Sequence, residues 1–256
     1  ALNQTVKGQT IKEIELRYEP MVKNMSADEF KEKLINQTIQ AVSRRGKYLV
    51  FHFDDYQLLS HLRMEGKYFY VDSDFELNPH VHVIFTLENG KRLLYQDTRK
   101  FGTYHLYDKA IDLETTAPFQ VLGLEPFATE FTPSYVKEKI QNKKKPIKSL
   151  LLDQTVVCGL GNIYVDEVLY RARLHPLTSS SELTDKDIEN VVKYTVEVLA
   201  RAIELGGTTI RTFRSSHGVS GTFQNELLVH QRKGENCYEC HTPIEKIKVG
   251  GRGTYF

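Results

Sequence analysis

The stretch Gly159-Leu160-Gly161-Asn162-Ile163-Tyr164-Val165-Asp166-Glu167 decides how the chain is read. It follows the apolar run Leu150-Leu151-Leu152-Asp153-Gln154-Thr155-Val156-Val157. A helix-like run breaks at two glycines, and a second helix opens with Ile163, Val165, Val168 and Leu169 at helical spacing. Glycine permits a sharp turn where side chains would clash. Asn162 stands where an N-cap belongs. The first turn of that second helix therefore offers unpaired backbone N–H groups and a polar amide, a combination suited to a phosphate. On spacing alone, a tight helix–turn–helix corner with no ligand accounts for the stretch equally well.

Outward from this corner, the 256 residues are enough for one large domain or two smaller ones. A hydrophobic fraction of 40% and a charged fraction of 26% are ordinary for a globular protein. No run reaches the roughly 18 apolar residues of a membrane span. The first residues lack the apolar core of a signal peptide, and three cysteines do not make a secreted disulfide framework. The expected location is the cytoplasm. Net charge is only +1, so placement matters more than the sum. Bases cluster at Arg44-Arg45-Gly46-Lys47, Arg99-Lys100, Lys143-Lys144-Lys145 with Lys148, and Arg232-Lys233, while acids gather at 108–114 and 182–189. One basic and one acidic face give this balance, and so do unrelated solvated clusters.

Residues 1 to 110 read mainly as strands: 10–16, 38–42, 48–53, 58–62, 68–72, 82–87 and 92–96. Asn89-Gly90 is a hairpin signal. Ser26 caps a short helix through Leu34, with Glu29 completing a capping box. Many short strands with turn punctuation predict a β-sandwich or flattened barrel. Three loops carry more chemistry than packing requires. Gly46 turns the backbone and brings Lys47 to the mouth of a strand. Met64, in Ser60-His61-Leu62-Arg63-Met64-Glu65-Gly66, reads equally as an exposed wedge or a core residue. Phe101, in Asp97-Thr98-Arg99-Lys100-Phe101-Gly102-Thr103, is a bulky aromatic between bases and a glycine. Pro79-His80-Val81-His82 adds two strand histidines.

Loop composition from 108 to 133 marks a connection between domains. Helices are expected at 134–141, after Pro146, and over 184–205, where Ile188, Val191, Val192, Thr195, Leu199, Ala202 and Ile203 mark one side before Gly206-Gly207. Residues 212–222 are small, polar and glycine-bearing, as in a mobile loop. Cys237-Tyr238-Glu239-Cys240 is a zinc half-site, a redox pair or chance. Cys158 stands apart and reads as a small buried hydrophobe.

Gly-Asn-Ile-Tyr-Val-Asp-Glu after Asp-Gln-Thr-Val-Val resembles the helix–two-turn–helix element of bacterial formamidopyrimidine-DNA glycosylases, and the resemblance runs along nearly the whole chain. It implies an α+β fold of two domains: an N-terminal β-sandwich (1–118), a linker (119–133), a helix–two-turn–helix domain (134–222) and a β-hairpin zinc finger (223–256). It implies a bifunctional DNA glycosylase and AP lyase that removes oxidised purines such as 8-oxoguanine and formamidopyrimidines from duplex DNA. The route is base flipping, Schiff-base formation and β,δ-elimination in base-excision repair. The partner is double-stranded DNA containing oxidised purines or abasic sites, and the protein is expected to be a monomer associated with the bacterial nucleoid. The resemblance assigns catalytic roles to Lys47 and Arg252, and DNA contacts to His61, Met64, His80, Arg99, Phe101, Lys143, Lys148, Asn162 and Arg252. Met64 would fill the gap left by the flipped nucleotide and Phe101 would wedge the opposite strand. Arg99, which has only donors, would read the acceptors of the orphaned cytosine. Ser216, His217, Gly218, Val219, Ser220 and Thr222 would close over the lesion.

The same resemblance implies one four-cysteine Zn2+ site, of which Cys237 and Cys240 are two ligands; the next cysteine would fall one position beyond Phe256. The family's Pro-Glu start, whose proline amine is the nucleophile, has no counterpart before Ala1-Leu2-Asn3. An N-terminal amine, with a pKa of about 8, suits Schiff-base chemistry better than an ordinary lysine. These 256 residues alone are therefore expected to be inactive. Two other readings stay open: a catalytically inactive lesion- or abasic-site binder of the same fold, and a zinc-ribbon module that does not bind DNA.

Overall fold

The computed structural model describes residues 2–208 and 221–256. The chain divides into two compact units at Gln120/Val121.

The first unit begins with a short helix α1 (Leu2–Val6) and strand β1 (Ile11–Leu16), followed by helix α2 (Ala27–Leu34). Ser26 caps α2 by accepting from the Glu29 N–H, but the Glu29 carboxylate pairs with Lys33 rather than closing the expected capping box. Seven strands follow: β2 (Ala41–Arg45), β3 (Tyr48–His52), β4 (Tyr56–His61), β5 (Lys67–Val71), β6 (Val81–Leu87), β7 (Arg92–Gln96) and β8 (Thr103–Asp108). They form two antiparallel four-stranded sheets, ordered β1-β6-β7-β5 and β2-β3-β4-β8. Phe51, Leu58, Tyr68, Val83, Phe85, Leu93, Tyr95, Tyr104 and Leu106 are buried in one cluster, against which Phe30 and Leu34 of α2 pack. Each such side chain contributes about 1.5–3 kcal/mol by leaving water. This is the β-sandwich expected from the strand pattern. Strand β8 falls outside the strands read from sequence, although Tyr104 and Leu106 alternate inward as a half-buried strand requires.

The second unit holds α3 (Pro133–Ile140), α4 (Ile147–Leu152), α5 (Asn162–Ala172) and α6 (Asp185–Glu204), then a hairpin of β9 (Lys246–Val249) and β10 (Arg252–Tyr255). Thr132 caps α3 with Pro133 in its first turn. Thr184 and Asp187 form a reciprocal capping box on α6, and Gly206 and Gly207, both at positive φ, end it. Ile147, Leu150, Leu151, Val156, Val157, Val165, Val168 and Leu169 are buried together with Ile188 and Val191 of α6. Cys158 is fully buried, as its small apolar character suggests. None of the described helices is long and apolar enough to cross a membrane.

Candidate functional site

In the first unit, one loop is organised by a single carboxylate. The Asp97 side chain is almost wholly buried at the end of β7. Its Oδ1 accepts from the Arg99 N–H at 3.0 Å, and its Oδ2 from the N–H groups of Phe101 (2.9 Å) and Gly102 (2.8 Å). These bonds curl the chain into a tight loop, with Lys100 at φ 57°. The Asp97 backbone is fixed as well: its N–H donates to the His80 carbonyl (2.9 Å), and its carbonyl accepts from His82 Nε2 (2.8 Å). Held this way, the loop turns Arg99 and Phe101 outward. The guanidinium lies over the Phe101 ring at 4.6 Å and donates to Met64 Sδ at 3.3 Å. Met64 is 73% exposed and Phe101 53%, which excludes the core reading for both. Met64, 35 positions before Arg99, therefore forms one contiguous patch with Arg99 and Phe101. His80 is exposed; the buried histidine of the pair is His82.

Lys47 follows Gly46 (φ 56°) in the two-residue turn between β2 and β3. The register places Tyr48 opposite His61, and the two rings meet edge-on at 4.5 Å. His61 Nδ1 accepts from the Arg63 N–H at 2.9 Å. Burial, with the nearby charges of Arg63 and Lys47, holds the His61 imidazole down at about 4, so it is neutral at physiological pH. Arg45 is tied to Glu114 by two bonds of 2.9 and 3.1 Å, so part of this basic cluster is neutralised.

In the second unit, Gln154 stitches the corner between α4 and α5. Its amide donates to the Leu152 and Leu160 carbonyls (3.0 and 3.1 Å) and its oxygen accepts from Gly159 N–H (2.9 Å). Gly159, at φ 93°, makes the turn possible. The N-cap of α5 is Gly161 and not Asn162, and no side chain caps the helix. Asn162 is instead the first helical residue, and its amide donates to the Gly253 carbonyl of β10 at 2.9 Å. The N-cap expectation fails by one residue: Gly161 takes the extended cap backbone (φ −114°, ψ 172°), which leaves Asn162 inside the first turn.

Lys148 also departs from expectation. Its ammonium is fully enclosed and donates to Asp166 Oδ1 (2.6 Å), Thr254 Oγ1 (2.7 Å) and the Gly253 carbonyl (3.2 Å). A group with all its donors engaged inside the fold has no surface to give to a phosphate, so the expected DNA contact is corrected to an internal fastener. Burial lowers its pKa, against the pull of Asp166. The other Asp166 oxygen takes His230 Nδ1 at 2.7 Å, and the neighbouring Glu167 accepts the N–H groups of Leu228, Val229 and His230 at 2.8–3.0 Å. This network joins α4 and α5 to β10, which Arg252 begins with an exposed side chain. Lys143 is half-exposed, 3.9 Å from Asp153. Of the expected lesion loop, Thr222 is exposed with its N–H bonded to the Leu205 carbonyl (2.9 Å), while Ser216, His217, Gly218, Val219 and Ser220 lie outside the described residues.

Cys237 is buried and Cys240 exposed. The N–H groups of Cys240 and Glu239 and the Tyr170 hydroxyl (3.2 Å) converge on the Cys237 sulfur and pull its pKa to about 7. Donors gathered on a thiolate suit a soft metal ligand. Two cysteines are half of a tetrahedral set, and among the described residues no cluster of three or more His, Cys, Asp or Glu side chains forms.

Residues 1–104 match the formamidopyrimidine-DNA glycosylase N-terminal domain, and residues 122–214 the formamidopyrimidine-DNA glycosylase H2TH domain. Proteins named formamidopyrimidine-DNA glycosylase from Bacillus licheniformis and Bacillus subtilis are both 46% identical to this chain. The first aligns over 98% of this chain and 91% of its own length, the second over 100% and 92%. A crystal structure of a Lactococcus lactis FPG mutant with a Fapy-dG containing DNA superposes with a TM-score of 0.93 at 41% identity, covering 100% of this chain and 93% of that one. A complex of Lactococcus lactis Fpg with an abasic site containing DNA superposes at 0.92 and 42%, with the same coverage. The chain belongs to the formamidopyrimidine-DNA glycosylase family.

Sequence reasoning overlooked Asp97, Gln154, Asp166 and Glu167 as organisers. Only Asp97 carried a local signal, an acidic residue two positions before a turn N–H.

Proposed function

We propose that this chain acts in base-excision repair as a DNA glycosylase with AP lyase activity, excising oxidised purines, formamidopyrimidines among them, from duplex DNA. The exposed patch of Met64, Arg99 and Phe101 carries the reading: an apolar wedge, an aromatic wedge and a donor-only guanidinium displayed side by side. Met64 takes the space of the extruded nucleotide, Phe101 props the opposite strand, and Arg99 donates to the orphaned cytosine. Lys47, His61, His80, Lys143, Asn162 and Arg252 supply phosphate contacts, with Lys47 and Arg252 nearest the chemistry. His61, neutral and with Nδ1 already an acceptor, offers its Nε2–H as a donor. Cys237 and Cys240 provide two thiolates of a zinc site whose bound metal would fix the hairpin that bears Arg252.

Borohydride trapping of the full-length protein on abasic duplex DNA tests the reading. A covalent adduct, together with release of formamidopyrimidine bases, is expected; binding to such DNA without an adduct would leave a lesion binder. A DNA affinity that falls with a log–log salt slope of about −3, as the three cationic phosphate contacts Lys47, Lys143 and Arg252 require, separates both from a protein that does not use DNA.

A further inference from the structure

Two loops carry the patch, and both stand on the same buried post. Tyr95, on β7, packs its ring against Tyr68 and Tyr104 at 5.3 and 5.6 Å, deep in the sandwich. Its hydroxyl lies at the root of both loops. A Cβ at Gly66, which ends the Met64 loop, would overlap that hydroxyl, and so would a Cβ at Gly102, which ends the Arg99 loop. The two glycines are thus the only way both loops can seat on one phenol. The hydroxyl also reaches Asp97 Oδ2 at 3.5 Å, the same oxygen that holds the Phe101 and Gly102 N–H groups. Burial keeps the phenol protonated. Below it, Ser60, Tyr68 and Tyr104 are linked hydroxyl to hydroxyl at 2.8 and 2.7 Å, so the post is itself braced. At the tip, Arg99 meets Met64. The loops are therefore joined at root and tip before any DNA arrives.

We propose that Asp97 and Tyr95 are positioning residues that lock the Met64 and Arg99 loops into one preformed tool and so set how well the base opposite the lesion is discriminated. The inference rests on the reading of Met64, Arg99 and Phe101 as DNA-contacting residues. Asp97 shapes the loop by accepting three backbone N–H groups, so it aims Arg99 without touching nucleic acid. A guanidinium aimed correctly before binding loses less entropy on pairing than one that must search.

The test is equilibrium binding to duplexes containing a stable abasic analogue opposite cytosine or opposite adenine, with thermal unfolding of each variant. In Asp97→Asn one of the two acceptor oxygens becomes a donor. Affinity opposite cytosine is expected to fall about tenfold but affinity opposite adenine only about twofold, so that partner-base preference drops about fivefold. Tyr95→Phe keeps the ring and removes the hydroxyl, and is expected to lower the preference about threefold; it carries the test alone if Asp97→Asn does not fold. Met64→Ala and Arg99→Ala are expected to be non-additive in the double variant. Equal losses against both partner bases, or additive loop variants, would overturn the inference. Failure of the unaltered protein to prefer abasic DNA at all would instead overturn the proposed function.

Discussion

The two units use a buried acid in opposite ways. In the sandwich, Asp97 gathers neutral backbone N–H groups in a loop whose Arg99 and Phe101 side chains stand out in solvent. In the helical unit, Asp166 gathers a lysine and a histidine and keeps them inside. One arrangement displays and the other fastens. Exposure expected from sequence therefore fares differently in the two places. Where an acid organises a loop, the exposed residues around it keep their expected availability. Where an acid organises a junction, a lysine that looks like a phosphate contact is consumed by the fold.

The comparison can be broken most forcefully at Lys148. Removing it leaves the Asp166 carboxylate buried with only His230 and a distant Tyr255 N–H as partners. Lys148→Ala is expected to destabilise the protein by about 3–5 kcal/mol, measured by denaturant unfolding. A loss under about 1 kcal/mol, with reduced DNA affinity, would return Lys148 to the surface role that its sequence context suggests.

Glu167 sharpens the contrast. Its carboxylate holds three consecutive backbone N–H groups at 228–230, much as Asp97 does in the other unit, but it displays nothing. Glu167→Gln is expected to cost about 2 kcal/mol in the same unfolding assay. Partner-base preference should be untouched, whereas Asp97→Asn alters it. If Glu167→Gln shifted the preference as strongly, the division between displaying and fastening acids would fail.

These contrasts also explain what the sequence revealed. The sandwich strands were legible because alternation and Asn89-Gly90 are local signals, and α6 was legible from its apolar stripe. The exposure of Met64 and Phe101 was not legible locally, since a loop residue's direction depends on Asp97 and on the Tyr95 hydroxyl beneath. Lys148 was misread because its fate is set by Thr254 and Gly253, more than a hundred positions away. Asn162 reads as a cap because a local pattern does not fix a helix start to one residue, and Gly161 takes that position. Local chemistry names the candidates; long-range partners decide whether they face solvent.

His61 tests the display side by pH. Burial and the Arg63 and Lys47 charges depress its folded pKa to about 4, while the unfolded value is about 6.5. Between these values the unfolded chain binds the proton and the folded chain does not. Stability is therefore unaffected above about pH 6.5 and is lost as pH falls toward 4. His61→Gln should flatten that part of the profile, read as urea midpoints at pH 7.5 and 4.5. An unchanged slope would place the acid sensitivity elsewhere.

The smallest effect is expected at an ion pair with the same chemistry as Lys148–Asp166 but none of its burial. Lys137 and Asp185 approach to 2.5 Å across α3 and α6, as close as the buried pair at 2.6 Å, yet their side chains are 50% and 75% exposed. Water screens the attraction, and two long side chains lose freedom to hold the contact. Lys137→Ala should therefore change stability by about 0.5 kcal/mol or less, with a further decrease in the effect at high salt. Equal separation with an effect several times smaller than that of Lys148→Ala would show that burial, and not contact distance, makes Asp166 a fastener. A loss at Lys137 approaching that at Lys148 would remove the physical basis for separating the two kinds of acid.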